Sequence, residues 1–218
     1  MRIAILGTGT LAAALGAGWV DAGHDVVVGG RSPERAAALA DRLAARPGLG
    51  RARAATPREA VAGRDAVLLA VRWDGAEDVL RAAGAHEGAL AGTVLIDPTN
   101  AVEHGVGVLL TGDGESAAER VAAVAAGAHV VKAFHLVPSD TWSGGRAVGT
   151  TVVLCGDDPG ALDRVGELVR DLGAAPAVLG PLRRARQAEE AAGFAIGLAF
   201  AGVDPASALP RLPSGAGG

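Results

Sequence analysis

The sequence predicts an α/β protein with a doubly wound, mostly parallel sheet, followed by a small second α/β unit. Three observations predict this fold: strand and helix patterns alternate from the first residue, most strand patterns are short apolar runs, and a glycine-rich turn follows the first strand. Such alternation makes neighbouring strands parallel and covers both faces of the sheet with helices. The 218 residues suffice for one well-buried domain or for a main domain with a small appended one.

The alternation begins with a βαβ unit over residues 2–29. An apolar strand at 2–6 ends in glycine, a helix of small and apolar residues is predicted at 10–22, and a second strand follows at 25–29. Thr56 and Glu59 have the spacing of a capping box, with Pro57 at the first helical position. Further strands are predicted near 52 and at 66–71, 93–97 and 129–134, with helices at 33–45, after 56, at 75–83 and at 116–125.

A glycine-rich stretch at residues 142–149 interrupts the alternation and is predicted to separate two domains. We therefore expect a larger domain over residues 1–145 and a small C-terminal α/β domain over residues 150–209. The smaller domain is predicted to contain strands at 151–155 and 177–179 and helices at 159–172 and 182–201. Residues 210–218 have too few apolar side chains to bury and are expected to form a mobile tail.

A glycine-rich fingerprint for a dinucleotide lies between the first strand and the first helix. Gly7 lets the chain turn out of the strand, Gly9 lets backbone N–H groups approach a pyrophosphate, and Ala12 permits close packing of helix on sheet. The helix N-terminus adds partial positive charge for the phosphates. The sequence therefore predicts a Rossmann-type domain whose fingerprint residues bind the cofactor: Gly7, Thr8, Gly9, Thr10, Leu11 and Ala12.

The end of the second strand predicts NADP(H) rather than NAD as the cofactor. NAD enzymes usually place Asp or Glu here to accept a hydrogen bond from the ribose 2′-hydroxyl. This chain instead has Arg31 and Ser32, with Arg35 one helical turn further on. Each charge-assisted hydrogen bond to a 2′-phosphate is worth roughly 1.5–3 kcal/mol. Ser32 is also placed to cap the following helix, and the two roles are compatible.

Other residues at strand ends lie where open α/β sheets bind their ligands. Thr99 and Asn100 follow the fifth strand and can hydrogen-bond a ribose or a nicotinamide; the alternative is a proline-containing turn. Trp73 is either a wall of the cofactor site or ordinary packing. Cofactor contacts at these edges are predicted for Ala70, Val71, Arg72, Thr99, Asn100 and Ala133.

Composition excludes several classes of protein. The net charge of −4 without a large basic cluster does not predict a nucleic-acid partner. No apolar run approaches the roughly 18 residues of a membrane span, and the start of the chain lacks a signal-peptide pattern, so we expect a cytoplasmic protein acting on a small-molecule substrate. The chain has no tyrosine, which excludes a Tyr-x-x-x-Lys acid, and no metal-ligand spacing is recognisable.

Several motifs, in order along the chain, resemble the coenzyme F420-dependent NADP oxidoreductase family. The resemblance implies a Rossmann domain with a small C-terminal domain, a homodimer, and hydride exchange between NADP(H) and the deazaflavin ring of F420. Related proteins with the same domain reduce flavins or metals, or have no assigned substrate. The motifs that carry the resemblance are residues 1–9, 28–32, 97–100, 131–134, 156–159 and 180–186.

The chain departs from this family pattern at His135, because the family commonly continues Lys-Ala-Phe with Asn-Thr. A histidine at a strand end can donate a proton to a carbonyl or imine that receives a hydride. His135 is therefore the candidate catalytic residue, with a satisfied loop histidine as the alternative. For Lys132 a structural role is favoured over catalysis, and His104 is interpreted as a solvated loop histidine, with closure of its loop over the substrate as the alternative.

Three functions remain open on the sequence. The first is hydride transfer between NADP(H) and F420, and the second is reduction of a small carbonyl, imine or flavin acceptor with His135 as proton donor. The third is a non-catalytic NADP-binding module.

Overall fold

The computed structural model describes residues 1–112, 114–143 and 147–209, and these form an α/β fold. The strands are β1 (Arg2–Leu6), β2 (Asp25–Gly29), β3 (Ala52–Ala55), β4 (Ala66–Leu69), β5 (Val94–Asp97), β6 (His129–Lys132), β7 (Thr151–Gly156) and β8 (Ala175–Gly180). The α-helices are α1 (Thr10–Asp21), α2 (Pro33–Ala44), α3 (Pro57–Val61), α4 (Ala76–Ala82), α5 (Ala117–Val124), α6 (Ser139–Ser143), α7 (Pro159–Asp171) and α8 (Ala185–Phe200). Short 3₁₀ turns occur at Trp73–Gly75, Ala85–Glu87, Leu182–Arg184 and Pro205–Ala208.

All eight strands join one sheet in the order β3-β2-β1-β4-β5-β6-β7-β8. The pairs from β3 to β6 are parallel, which is the doubly wound arrangement that the sequence predicts. β7 pairs antiparallel with β6, and β8 runs parallel to β7. The fold class is thus confirmed, and the strands predicted for the C-terminal domain extend the first sheet. The domain boundaries at residues 145 and 150 stay a prediction, and the predicted tail at 210–218 lies outside the described residues.

The sheet has an apolar layer on each face. Ile3 and Ile5 of β1 pack towards α1, α2 and α7, whereas Ala4 and Leu6 pack towards α3, α4, α5 and α8. This alternation follows from the two-residue period of a strand. None of the described helices combines the length and the apolar character needed to cross a bilayer.

Two strands are shorter than predicted at their carboxyl ends. β4 ends at Leu69 and β6 at Lys132, whereas the apolar runs predicted strands to residues 71 and 134. In both cases the chain leaves the sheet at the edge where the candidate site lies. Phe134 shows why for β6: its φ of +63° is a left-handed conformation that does not continue a strand. The short helix α6 was not predicted.

Candidate active site

Gly7 and Gly9, at the turn between β1 and α1, have different physical reasons to be glycine. Gly7 has a φ of +136°, and a Cβ built there would lie 2.6 Å from the carbonyl carbon of Ala70 and still closer to its oxygen. A Cβ on Gly9 would meet nothing within 4 Å. Gly7 therefore allows β1 and β4 to approach each other, whereas Gly9 leaves open space before the N-terminus of α1.

A cavity of about 540 Å³ opens at this turn. It lies where the strand order changes direction between β1 and β4, the usual ligand position in open α/β sheets. We call it the first cavity. The predicted cofactor residues that line it are Gly7, Thr8, Gly9, Arg31, Ser32, Arg35, Ala70, Val71 and Arg72.

Three fingerprint residues do not line the first cavity with their side chains. Ala12 is fully buried and packs α1 onto the sheet, as the fingerprint requires. Leu11 packs against the same apolar layer, and Thr10 borders a separate groove beside α1. Successive helical residues point to different faces, so only the start of the turn faces the cavity.

Two of the three arginines that line the first cavity lie at the end of β2 and the start of α2. Ser32 caps α2 by accepting a hydrogen bond from the Arg35 backbone N–H, at 3.2 Å, and its hydroxyl donates to Glu34 at 2.7 Å. Arg31 and Arg35 are exposed, and neither forms an ion pair within the described ranges. Both guanidinium groups are therefore available to an anionic ligand.

A second cavity, of about 580 Å³, adjoins the first one. Val71, Arg72 and Asp74 line both, so the two form one groove along the carboxyl edge of the sheet. Much of the second cavity's wall is apolar, and it includes Trp73, Leu110, Ile196 and Phe200. Thr99, Asn100 and His104 are among its polar lining residues.

The loop that carries His104 is held against α8 by a close approach of two backbones. A Cβ on Gly107 would lie 2.9 Å from the carbonyl carbon of Gly193, so both positions need glycine for this contact. The rings of His104 and Phe200 meet edge to face, with centroids 5.0 Å apart. The exposed His104 is thus a wall residue of the second cavity.

The turn after β5 is held by hydrogen bonds within its own residues and to the chain after β6. Asp97 accepts from the Thr99 backbone N–H at 2.9 Å and from the Thr99 hydroxyl at 2.7 Å. The Asn100 side-chain amide donates to the His135 carbonyl at 2.8 Å. Asn100 Oδ1 is buried and has no partner among the described residues. These residues therefore form the proline-containing turn and also line the second cavity, and their hydrogen bonding to a ribose or nicotinamide stays a prediction.

Lys132, Asp97 and Glu189 form a fully buried charged cluster beneath this turn. Lys132 Nζ donates to Asp97 Oδ2 at 2.9 Å and to the Thr99 carbonyl, and it forms an ion pair with Glu189 Oε1 at 2.7 Å. The sequence analysis missed Glu189. A signal was present: Glu189 lies beside Ala185, Ala188 and Ala192 on the apolar face of α8, where an acidic residue needs a buried partner.

His135 lies outside the lining of both cavities. His135 is only 7% exposed, and neither nitrogen of its ring has a hydrogen-bond partner within the part of the chain that the structure describes. Burial, with a smaller contribution from the Lys132 charge, lowers the pKa of His135 to about 3. The catalytic role of His135 stays a prediction, and this environment argues against it as a proton donor. Ala133, a predicted cofactor contact, is fully buried and lines neither cavity.

The sheet order, the glycine turn and the groove at the switch point define a Rossmann-type dinucleotide-binding protein. Residues 2–101 match the sequence model of a family described as NADP oxidoreductase, coenzyme F420-dependent. The resemblance of the sequence to this family of NADP-dependent oxidoreductases is thus confirmed over residues 2–101.

Known proteins similar to the chain include enzymes with different acceptors. It is 31% identical over 189 residues to the metalloreductase STEAP3 of Rattus norvegicus, an alignment that covers 86% of this chain and 36% of the rat protein. The chain thus spans little more than a third of that relative. A proposed F420-dependent NADP reductase from Arthrobacter sp. FB24 is 26% identical, with a TM-score of 0.77 and coverage of 94% of this chain and 96% of the other. A reductive aminase from Aspergillus terreus, 20% identical with a TM-score of 0.67 over 92% of this chain and 62% of its own, shows the fold alone.

Proposed function

We propose that this protein transfers hydride between NADP(H) and the deazaflavin ring of coenzyme F420. The observation that carries the proposal is the continuous groove, in which a cavity at the glycine turn adjoins a second cavity with a largely apolar wall. The family description names F420, and so does the name of the Arthrobacter protein. A flat ring system suits a wall that includes Trp73 and Phe200.

The residues of the first cavity fit a dinucleotide with a 2′-phosphate. The open space at Gly9 admits a pyrophosphate in front of α1, whose twelve-residue length supports a partial positive charge at its N-terminus. Arg31 and Arg35 supply the positive charge that a 2′-phosphate requires. Within the described residues this part of the site has no acidic residue at the end of β2, so a free ribose 2′-hydroxyl lacks its usual acceptor there.

In this proposal the second cavity positions the two rings for hydride transfer and supplies no acid or base. When bound, NADPH supplies a hydride to a ring carbon of F420, so that NADP⁺ and, with a proton from water, reduced F420 are formed. The apolar wall and the rigid turn at 97–100 hold two rings in contact and exclude water, which is the main requirement of such a transfer. The neutral, buried His135 is consistent with this requirement, because no residue has to donate a proton to the acceptor.

A second candidate function is reduction of a small carbonyl or imine, and one observation favours it. His104 is exposed and lines the second cavity, so it can donate a proton there, whereas His135 lines neither cavity. A positioned acid typically contributes 10²–10⁴-fold to such a reaction. His104 thus replaces His135 as the candidate donor in this alternative.

The test measures NADPH oxidation with F420, with a free flavin and with a small ketone plus an amine, each as sole acceptor. We expect F420 to be reduced fastest. His104→Asn and His135→Asn should each keep F420 turnover within about threefold of wild type, because no proton donor is needed. His86→Asn, an exposed histidine that lines neither cavity, is the matched control.

Two results would contradict the proposal. One is a wild-type protein that binds NADPH but does not reduce F420. The other is a ketone or imine turnover that exceeds F420 turnover and falls by roughly 100-fold or more in His104→Asn, which would establish the second candidate.

We also propose that the protein acts as a homodimer. Phe194 and Phe200 of α8 are both exposed, and large exposed apolar side chains on one helix support a contact between copies. Sedimentation equilibrium tests this, and a monomer at micromolar concentration would contradict it.

A further inference from the structure

The buried cluster of Lys132, Asp97 and Glu189 joins three separate elements of the fold. Asp97 ends β5, Lys132 ends β6, and Glu189 belongs to α8. All three side chains are fully buried. Because desolvation offsets much of the attraction between buried charges, such a cluster stabilises a fold little compared with apolar packing. The main effect of the cluster is therefore the relative position of the elements that it joins.

On one side the cluster holds the turn after β5. Lys132 donates to the carbonyl of Thr99, while Asp97 accepts from both the backbone N–H and the hydroxyl of Thr99. Thr99 and the next residue, Asn100, line the second cavity. The position of this wall therefore depends on the position of the Lys132 ammonium group.

On the other side the cluster holds α8. The Glu189 carboxylate forms an ion pair with Lys132 and accepts hydrogen bonds from the backbone N–H groups of Ala117 at 2.8 Å and Ala118 at 3.2 Å, at the start of α5. These contacts fix both the height and the rotation of α8. Ile196 and Phe200, about two and three turns further along α8, line the same cavity as the turn.

We propose that Lys132 and Glu189 are positioning residues that set the separation between the 97–100 turn and α8, and hence the fit of the two rings in the second cavity. This inference rests on the proposed function, since it assumes that the reacting rings meet in that cavity. Neither side chain touches substrate, and both act through Thr99 and α8. A displacement of about 1 Å at a reacting centre can cost on the order of 100-fold in rate.

The test is Glu189→Gln, which keeps the size of the side chain but removes its charge and replaces one acceptor oxygen with a donor. Glu190→Gln is the matched control, because Glu190 is the next residue of α8, is exposed and pairs only at the surface with Arg186 at 2.9 Å. We expect kcat for F420 reduction to fall about tenfold or more in Glu189→Gln, with the NADPH Kd changed by less than about threefold. The deuterium isotope effect of NADPH labelled at the transferred position should rise, because hydride transfer becomes rate-limiting.

A readout without acceptor separates this inference from the proposed function. The fluorescence anisotropy of the nicotinamide ring in bound NADPH should fall in Glu189→Gln and stay at the wild-type value in Glu190→Gln. A wild type that fails to reduce F420 contradicts the proposed function, and the anisotropy then decides the positioning role alone. Wild-type turnover, isotope effect and anisotropy in folded Glu189→Gln would overturn the inference.

A second variant guards against failure to fold. Glu189→Asp keeps the charge but shortens the side chain by one methylene group, and we expect a smaller loss of kcat with the same rise in isotope effect. If neither variant folds by circular dichroism, the cluster is a requirement for folding and the positioning role is rejected.

Discussion

Substitutions at Gly7 and Gly9, two positions of the same turn, should have separate effects. A substitution at Gly7 should lower the stability of the fold, and one at Gly9 should weaken cofactor binding. In Gly7→Ala the new Cβ would lie 2.6 Å from the Ala70 carbonyl carbon at a φ of +136°. The backbone of β1 or β4 then has to move, since no flexible side chain can give way. Overpacking and an unfavourable backbone conformation each cost about 1–3 kcal/mol, so we expect a destabilisation of about 3 kcal/mol. In a domain of this size this lowers the Tm by roughly 6–12 °C.

Gly9→Val should leave the fold nearly as stable as wild type and weaken NADPH binding. The space at this Cβ is open and the backbone is extended, with φ of −81° and ψ of −172°, which a branched residue adopts without strain. Loss of glycine at the helix N-cap costs about 1 kcal/mol or less. The side chain would occupy the space in front of α1 where the pyrophosphate is proposed to bind, and we expect NADPH affinity to fall by about 100-fold, or about 2.7 kcal/mol.

Differential scanning calorimetry and isothermal titration with NADPH measure the two effects on the same samples. The expected result is a low Tm in Gly7→Ala and weak NADPH binding in a stable Gly9→Val. Wild-type NADPH affinity in Gly9→Val would refute the placement of the pyrophosphate, and a wild-type Tm in Gly7→Ala would refute the argument from the close approach of β1 and β4.

Three further predictions concern charge. Arg31→Ala should weaken NADPH binding by about tenfold or more and leave NADH binding nearly unchanged, and equal losses in titrations with both would contradict the 2′-phosphate role. Lys132→Met leaves the Asp97 and Glu189 carboxylates buried without their cation, so urea unfolding should show a loss of about 3–5 kcal/mol, and a loss below 1 kcal/mol would refute the pairing. Unfolded His135 takes up a proton near pH 6.5, whereas the folded state, in which its pKa is lowered to about 3, stays neutral. Stability should therefore fall by about 2 kcal/mol between pH 7 and pH 5 beyond the fall seen in His135→Asn, and parallel pH profiles of the two proteins would contradict the buried neutral state.

The sequence was sufficient for features that short stretches of chain encode. Alternating apolar runs predicted the parallel sheet, because burial on both faces leaves this pattern in each strand. The fingerprint turn predicted the first cavity, since Gly7, Gly9 and the start of α1 are adjacent in the chain. Arg31 and Ser32 line the first cavity for a related reason: they directly follow β2, whose carboxyl end lies at the ligand-binding edge of the sheet in this fold class.

The tertiary structure decided the features that depend on residues distant in the chain. Glu189 pairs with Lys132 only because α8 packs beneath the end of β6, and no local pattern encodes a contact between elements so far apart in sequence. The sequence favoured His135 over His104 as the functional histidine, yet His104 lines the second cavity and His135 is buried with a lowered pKa. Local propensity determines which elements form and where a turn lies. Burial, and with it the charge state and reach of each side chain, is set by what the rest of the chain packs against it.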